Sequence, residues 1–253
     1  MKSRASIFCL TFLLLAVAGC VHAQTNAVPL SGCNQLVVVV TKDWDAVPGK
    51  MILFHRVGEH GAWHKDGNAF SVIVGRSGLG WGRGLNPDAK LPGPIKHEGD
   101  GKSPAGIFRL SSAFGTDDPG KLKSVRLPYV RLTDAIECVD DVKSTNYNLI
   151  VNRDTTTRPD WDSAEKMRAV GARYRLGVVV DHNSAPRENG GGSCIFLHIW
   201  QDAKTGTSGC TAMAPENMET LLPWLDPSAH PALVQLPESE YKKLQAAWSL
   251  PSL

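Results

Sequence analysis

The apolar residues of this chain arrive in short, β-branched bursts. Residues 36–40 read Leu-Val-Val-Val-Val, and residues 177–180 read Gly-Val-Val-Val. Runs of that length, built from side chains stiff at χ1 and bounded by Gly, Pro, Asn and Asp, are buried strands. Residues 51–57, 70–74, 127–132, 147–151 and 232–236 continue the pattern. Helical spacing is confined to three places. Residues 161–167 carry Ser163 as an N-cap and an Asp162/Lys166 pair. Residues 215–225 open on Pro215 with early glutamates, and residues 237–248 place Leu244 and Trp248 one turn apart. The expectation is a mainly β fold (β-rich α+β), one domain over residues 35–253 with a few short helices and a loose lead-in at 24–34.

The first residues are read as an export signal rather than fold. Lys2 and Arg4 precede an apolar run over 7–18, too short to span a bilayer, and Val21-His22-Ala23 suits cleavage after residue 23. A second reading competes: Val17-Ala18-Gly19-Cys20 resembles a lipobox, with cleavage after residue 19 and a lipid anchor at Cys20. The expected location is the periplasm, or the membrane surface as a lipoprotein, with no transmembrane span after processing. Removal of residues 1–23 lowers the 27 basic residues to 25, equal to the 25 acidic ones. A balanced chain lacks the basic surface that nucleic acid or anionic lipid requires.

The chemistry concentrates late in the chain. An apolar run delivers His198, and the chain returns twelve residues later with Cys210 just behind Gly209. A thiolate is the nucleophile of cysteine chemistry, and a nearby imidazole can generate it. Gly209 allows close backbone approach, and amides around Gly209 and Cys210 could hold an oxyanion. Two other clusters read as structural. His55, His60 and His64 lie around a glycine turn with no ligand set to complete a metal site. Gly101-Lys102-Ser103 lacks the earlier glycine of a phosphate loop. The glycine-rich stretch 75–94, with Arg76, Trp81 and Arg83, is long enough to be functional.

Three segments in order resemble the YkuD-type L,D-transpeptidase catalytic domain. His198 matches the family's strand-borne histidine, and Thr207-Ser208-Gly209-Cys210 matches its Ser/Thr-x-Gly-Cys turn. Lys102-Ser103-Pro104-Ala105-Gly106-Ile107-Phe108 matches its Lys-Thr/Ser-Pro-x-Gly-x-Phe segment. The resemblance implies a mostly β fold and no metal or cofactor. It also implies that Cys210 attacks a peptidoglycan stem peptide, with His198 as base and Gly209 shaping the turn. The thioester would pass to a neighbouring stem's amine, or to water in a carboxypeptidase or amidase of the same fold. A non-catalytic wall-binding protein with a structural Cys210 is the remaining alternative. Many members carry histidine where this chain has Ser208, and arginine where it has Ala212.

Around this pair, Thr207, Ser208, His182 and Asn183 are candidates for substrate contact. His182 and Asn183 are equally readable as satisfied core residues. Arg76, Arg83 and Arg109 are candidates for a stem carboxylate, against a surface role for each. Besides Cys210, the processed chain keeps Cys33, Cys138 and Cys194. Cys194 shares a strand face with His198 and is expected to be a buried thiol, leaving Cys33 and Cys138 as a structural disulfide.

Overall fold

The computed structural model describes residues 29–86, 91–122 and 124–253. The expected signal or lipoprotein segment therefore lies outside the described residues. The first strands are β1 (Gln35–Thr41), β2 (Pro48–His55) and β3 (His64–Ile73), followed by the short β4 (Leu79–Trp81) and the long β5 (Ser103–Gly115). Four short strands come next: β6 (Tyr129–Arg131), β7 (Ile136–Val139), β8 (Ile150–Asn152) and β9 (Ala164–Lys166). A 3-10 segment over Met167–Tyr174 leads to β10 (Gly177–Val180), β11 (Phe196–Ile199) and β12 (Thr211–Met213). The chain ends in α1 (Pro215–Trp224), β13 (Ala232–Pro237) and α2 (Glu238–Leu244).

The main sheet runs β10-β11-β12-β3-β2-β1-β13-β5, and β5 also pairs with β10. The sheet therefore closes on itself, so these strands leave no free edge between its first and last members. The long β5 makes the closure possible: it pairs with β13 over Arg109–Gly106 and with β10 further along, at Leu110, Ala113 and Phe114. Leu36, Val37, Val38 and Val39 are all fully buried, on both faces of β1. A strand flanked by the parallel β13 and covered by α2 needs apolar side chains on both sides, hence the unbroken run. Each such side chain contributes roughly 1.5–3 kcal/mol.

β7, β8 and β9 form a separate three-stranded sheet, in the order β8-β7-β9. This corrects the helix expected over 161–167. Ser163 Oγ donates to Asp140 Oδ1 at 2.5 Å rather than capping a helix, and Trp161 Nε1 donates to Glu137 Oε2 at 2.8 Å. Seven residues gain little from helical hydrogen bonding alone, so pairing of Glu165 with Cys138 across β9 and β7 decides the outcome.

The cysteine pairing is also corrected. Cys138 is bonded to Cys194, and Cys33 is a buried free thiol. Cys33 Sγ donates to the Gln35 carbonyl, 3.0 Å away, in a buried cluster separate from the one that holds Cys138. Cys194 is not part of β11; its φ of +54° turns its side chain off the strand alternation toward β7.

Candidate active site

β11 and β12 run parallel, with His198 opposite Ala212 and Leu197 opposite Thr211. Cys210 immediately precedes β12, so alternation puts Cys210 and His198 on one face of neighbouring strands. Both line a cavity of about 460 Å³, together with Arg76, Glu98, Glu165, Arg173, Tyr174 and the 205–209 turn. No hydrogen bond joins the thiol to the imidazole. The Cys210 thiol is free; it accepts from the Phe196 N–H at 3.3 Å and donates to the Cys194 carbonyl at 3.5 Å.

The turn is fastened from several sides. The Cys210 carbonyl accepts from Ser103 Oγ at 2.7 Å and from Thr207 Oγ1 at 2.5 Å. Thr207 Oγ1 in turn accepts from the Gly209 N–H at 3.1 Å, so that amide is already occupied. A Cβ at Gly209 would lie 3.2 Å from both the Lys102 carbonyl and Ile195 Cδ1, so a larger residue would press on both. The Lys-Ser-Pro-x-Gly-x-Phe segment thus meets the nucleophile turn directly. Ser103 bridges it to the Gly75 N–H at 2.8 Å, and Lys102 anchors to the Ser77 carbonyl at 2.7 Å. Gly106, at φ +133°, leaves room for Asn86, which a Cβ would approach to 2.4 Å.

Electrostatics keep both groups neutral at rest. Burial pushes the Cys210 thiol up to about 12, and the Glu165 carboxylate adds to the effect. The Phe196 N–H and the Tyr174 hydroxyl oppose it. Burial lowers His198 to about 4, against the favourable Ile199 carbonyl. That carbonyl can only accept, so His198 Nδ1 carries the proton donated across 2.8 Å, and Nε2 holds a lone pair. The pair is suited to general-base transfer during attack rather than to a standing thiolate–imidazolium pair.

Thr207 and Ser208 both line the cavity; Ser208 is exposed and its Oγ accepts from Arg76 Nη1 at 3.1 Å. His182 and Asn183 lie elsewhere. His182 Nε2 donates to the Gly191 carbonyl at 2.9 Å and Nδ1 accepts from the Arg83 N–H at 3.2 Å. Asn183 binds the Glu188 and Gly192 carbonyls and the Glu188 N–H. With every polar atom engaged, these two side chains fix the 183–192 loop rather than face the cavity.

Tyr174, Glu165 and Arg173 went unnoticed in the sequence. Tyr174 packs edge-on to His198, ring centroids 5.1 Å apart, with its hydroxyl beside Cys210 and Glu165. Their only sequence signal was an aromatic and charges near a segment read as helix. The histidines near residue 60 stay apart from this site. His55 pairs with Asp66 at 2.9 Å and faces His64 across β2 and β3. Among the described residues no group of His, Cys, Asp or Glu could hold a metal ion.

The family model for the L,D-transpeptidase catalytic domain, YkuD, matches residues 52–234. No curated protein matches the sequence. The match spans β2 to β13, including the cavity with its cysteine and histidine, while β1 lies outside it yet completes the same barrel and α2 packs against β1 and β13. A match over more than half of the chain, enclosing a cysteine–histidine cavity in a β barrel, places this protein in the YkuD L,D-transpeptidase family.

Proposed function

We propose that the protein is an exported cysteine acyltransferase that cross-links peptidoglycan stem peptides, with Cys210 as nucleophile and His198 as base. The observation that carries this reading is the shared cavity, in which a free thiol just ahead of β12 and an imidazole with an open Nε2 on β11 lie together. The Cys210 sulfur attacks the carbonyl between a diamino acid and a terminal D-amino acid as its proton passes to His198 Nε2. Collapse of the tetrahedral adduct breaks the C–N bond. The leaving amine takes the proton from His198, and a thioester remains on Cys210. The amine of a second stem then attacks the thioester, giving up a proton to His198, and the thiol is restored.

Export is supported by the Cys138–Cys194 disulfide, since such bonds persist in oxidising compartments. Cleavage after residue 23 or lipidation at Cys20 both agree with it. Among the described residues no helix is long and apolar enough to cross a membrane. A free Cys210 also speaks against a purely structural role for that thiol.

The test is incubation with disaccharide-tetrapeptides, with products read by mass spectrometry. The wild-type chain is expected to release D-alanine and form L,D-linked dimers, and Cys210→Ala to form none. Dimers formed equally by both proteins would sink the proposal. Shortened monomers alone, in the presence of abundant acceptor amine, would make the protein a hydrolase of the same fold.

A further inference from the structure

Of the three arginines that the sequence offers for carboxylate recognition, two are committed away from the thiol. Arg83 pairs with Glu188 at 2.5 Å, and Arg109 stands beside Asp181; both line a different cavity, with Trp81 and Pro186. Arg76 is exposed and lines the cavity of Cys210 and His198. Among the described residues no carboxylate lies within ion-pair distance of its guanidinium. This is notable because Glu98, Asp140 and Glu165 line the same cavity. Glu98 is engaged by Tyr147 and Ser193, and Asp140 by Ser163. Of the other cations lining the cavity, buried Lys96 is held by Asp100 at 2.6 Å, and Arg173, unpaired among the described residues, springs from the 3-10 segment and not from the nucleophile turn.

Arg76 is also registered against the nucleophile. Its N–H donates to the Thr207 carbonyl at 2.8 Å, and Gly75 bridges to Thr207 in parallel. A Cβ at Gly206 would come within 2.6 Å of Arg76 Cα, so the two backbones are in contact. Thr207 is the residue whose hydroxyl holds the Cys210 carbonyl. The guanidinium thus springs from a backbone locked to the nucleophile turn. Its contact with Ser208 uses the hydroxyl oxygen as acceptor, which leaves the Ser208 O–H free to donate to the same anion. Ala212, at the position where many family members carry arginine, is fully buried and offers no charge.

We infer that Arg76 and Ser208 form the carboxylate-binding position of the acyl-donor site, and that Arg76 determines selectivity for donors ending in a free carboxylate. The inference rests on the acyl-transfer reading. A planar guanidinium with an adjoining hydroxyl suits a carboxylate, which is repelled by the acidic walls elsewhere in the cavity. A donor whose terminal carboxylate is amidated loses this contact.

The experiment measures binding without turnover, in the full chain carrying Cys210→Ala. Calorimetry compares a disaccharide-tetrapeptide with a free terminal carboxylate against its carboxamide. The carboxylate form is expected to bind about ten- to a hundredfold tighter, the range for one charge-assisted contact. Adding Arg76→Gln should bring that ratio to near one, and Arg76→Lys should restore part of it. A ratio that survives Arg76→Gln, or a ratio of one in Cys210→Ala itself, overturns the inference. Because the carboxamide peptide is bound in parallel, misfolding shows as loss of both affinities rather than of their ratio; Arg76→Lys then decides. In that event, a ratio undiminished in Arg76→Lys also overturns it. Turnover by the wild-type chain separates the two readings. Dimers with an Arg76-independent ratio would remove this inference alone. An Arg76-dependent ratio without any turnover would remove the acyl-transfer reading and leave a carboxylate site.

Discussion

Burial and the Glu165 carboxylate hold the proton on Cys210, while the Phe196 N–H and Tyr174 hydroxyl favour its loss. Of these, Glu165 acts on the thiol through its charge alone. Glu165→Gln keeps the side chain's size and its polar reach toward Tyr174, and removes one negative charge. A lost negative charge stabilises the thiolate, so the Cys210 pKa should fall. The pH profile of Cys210 alkylation by iodoacetamide should move to lower pH by a measurable fraction of a unit or more. An unmoved or upward-shifted profile would show that Glu165 does not act on the thiol. His198, Gly209 and Cys210 were readable because the turn and its histidine lie within thirteen positions of each other in the chain. Glu165 and Tyr174 were not, since only the fold brings them to Cys210. Ser103 was legible as a motif member, but its bond to the Cys210 carbonyl was not.

The three-stranded sheet β7–β9 is the element that sequence reasoning handled least well, and it builds part of the cavity. Asp140, just after β7, and Glu165, on β9, both line it, and the 3-10 segment behind β9 supplies Arg173 and Tyr174. Short apolar runs were a reliable strand signal where they were unbroken and β-branched, as in β1. The local signal failed over 161–167, where a cap residue and one i,i+4 pair pointed to helix and cross-strand partners overrode them. The cysteine pairing failed for a related reason, because the left-handed backbone at Cys194 breaks the alternation assumed for it. The Cys138–Cys194 bond joins this sheet to the lead-in of β11 across 56 residues. Cys138→Ser with Cys194→Ser should cost about 2–4 kcal/mol of stability. The denaturation midpoint in urea should fall accordingly, and dithiothreitol should lower the wild-type midpoint but not that of the double variant. Equal midpoints for the two proteins in oxidising buffer would show that the bond contributes no net stability. The double variant is the informative one, as a single substitution leaves a thiol beside Cys210.

At the scale of the whole molecule, the closed barrel buries two histidines that must stay neutral. The mainly β character was legible from the apolar bursts; closure was not, because it depends on β5 being long enough to serve β13 and β10 at once. Burial lowers both His182 and His198 to about 4 from an ordinary value near 6.5. For His182, the Lys96 and Arg83 charges lower it further, while the Gly191 carbonyl and Asp100 act the other way. A histidine with a depressed folded pKa binds its proton more readily when unfolded. Its contribution is therefore complete above pH 6.5 and is lost as pH falls toward 4. At about 1.4 kcal/mol per unit, each histidine withdraws about 2–3 kcal/mol between pH 7 and pH 4.5. Glu165 and Asp181, raised by burial, take up protons in the folded state and work in the opposite direction. The absolute slope is thus a sum, and a difference between variants isolates one member. His182→Gln preserves a donor toward Gly191 and an acceptor toward Arg83 but cannot titrate. It should be less stable than wild type at pH 7, where the imidazole packs edge-on against Phe108. The gap should close by about 2–3 kcal/mol on going to pH 4.5. Urea denaturation of both proteins at the two pH values measures it, and a gap independent of pH would show that His182 titrates normally in the folded protein.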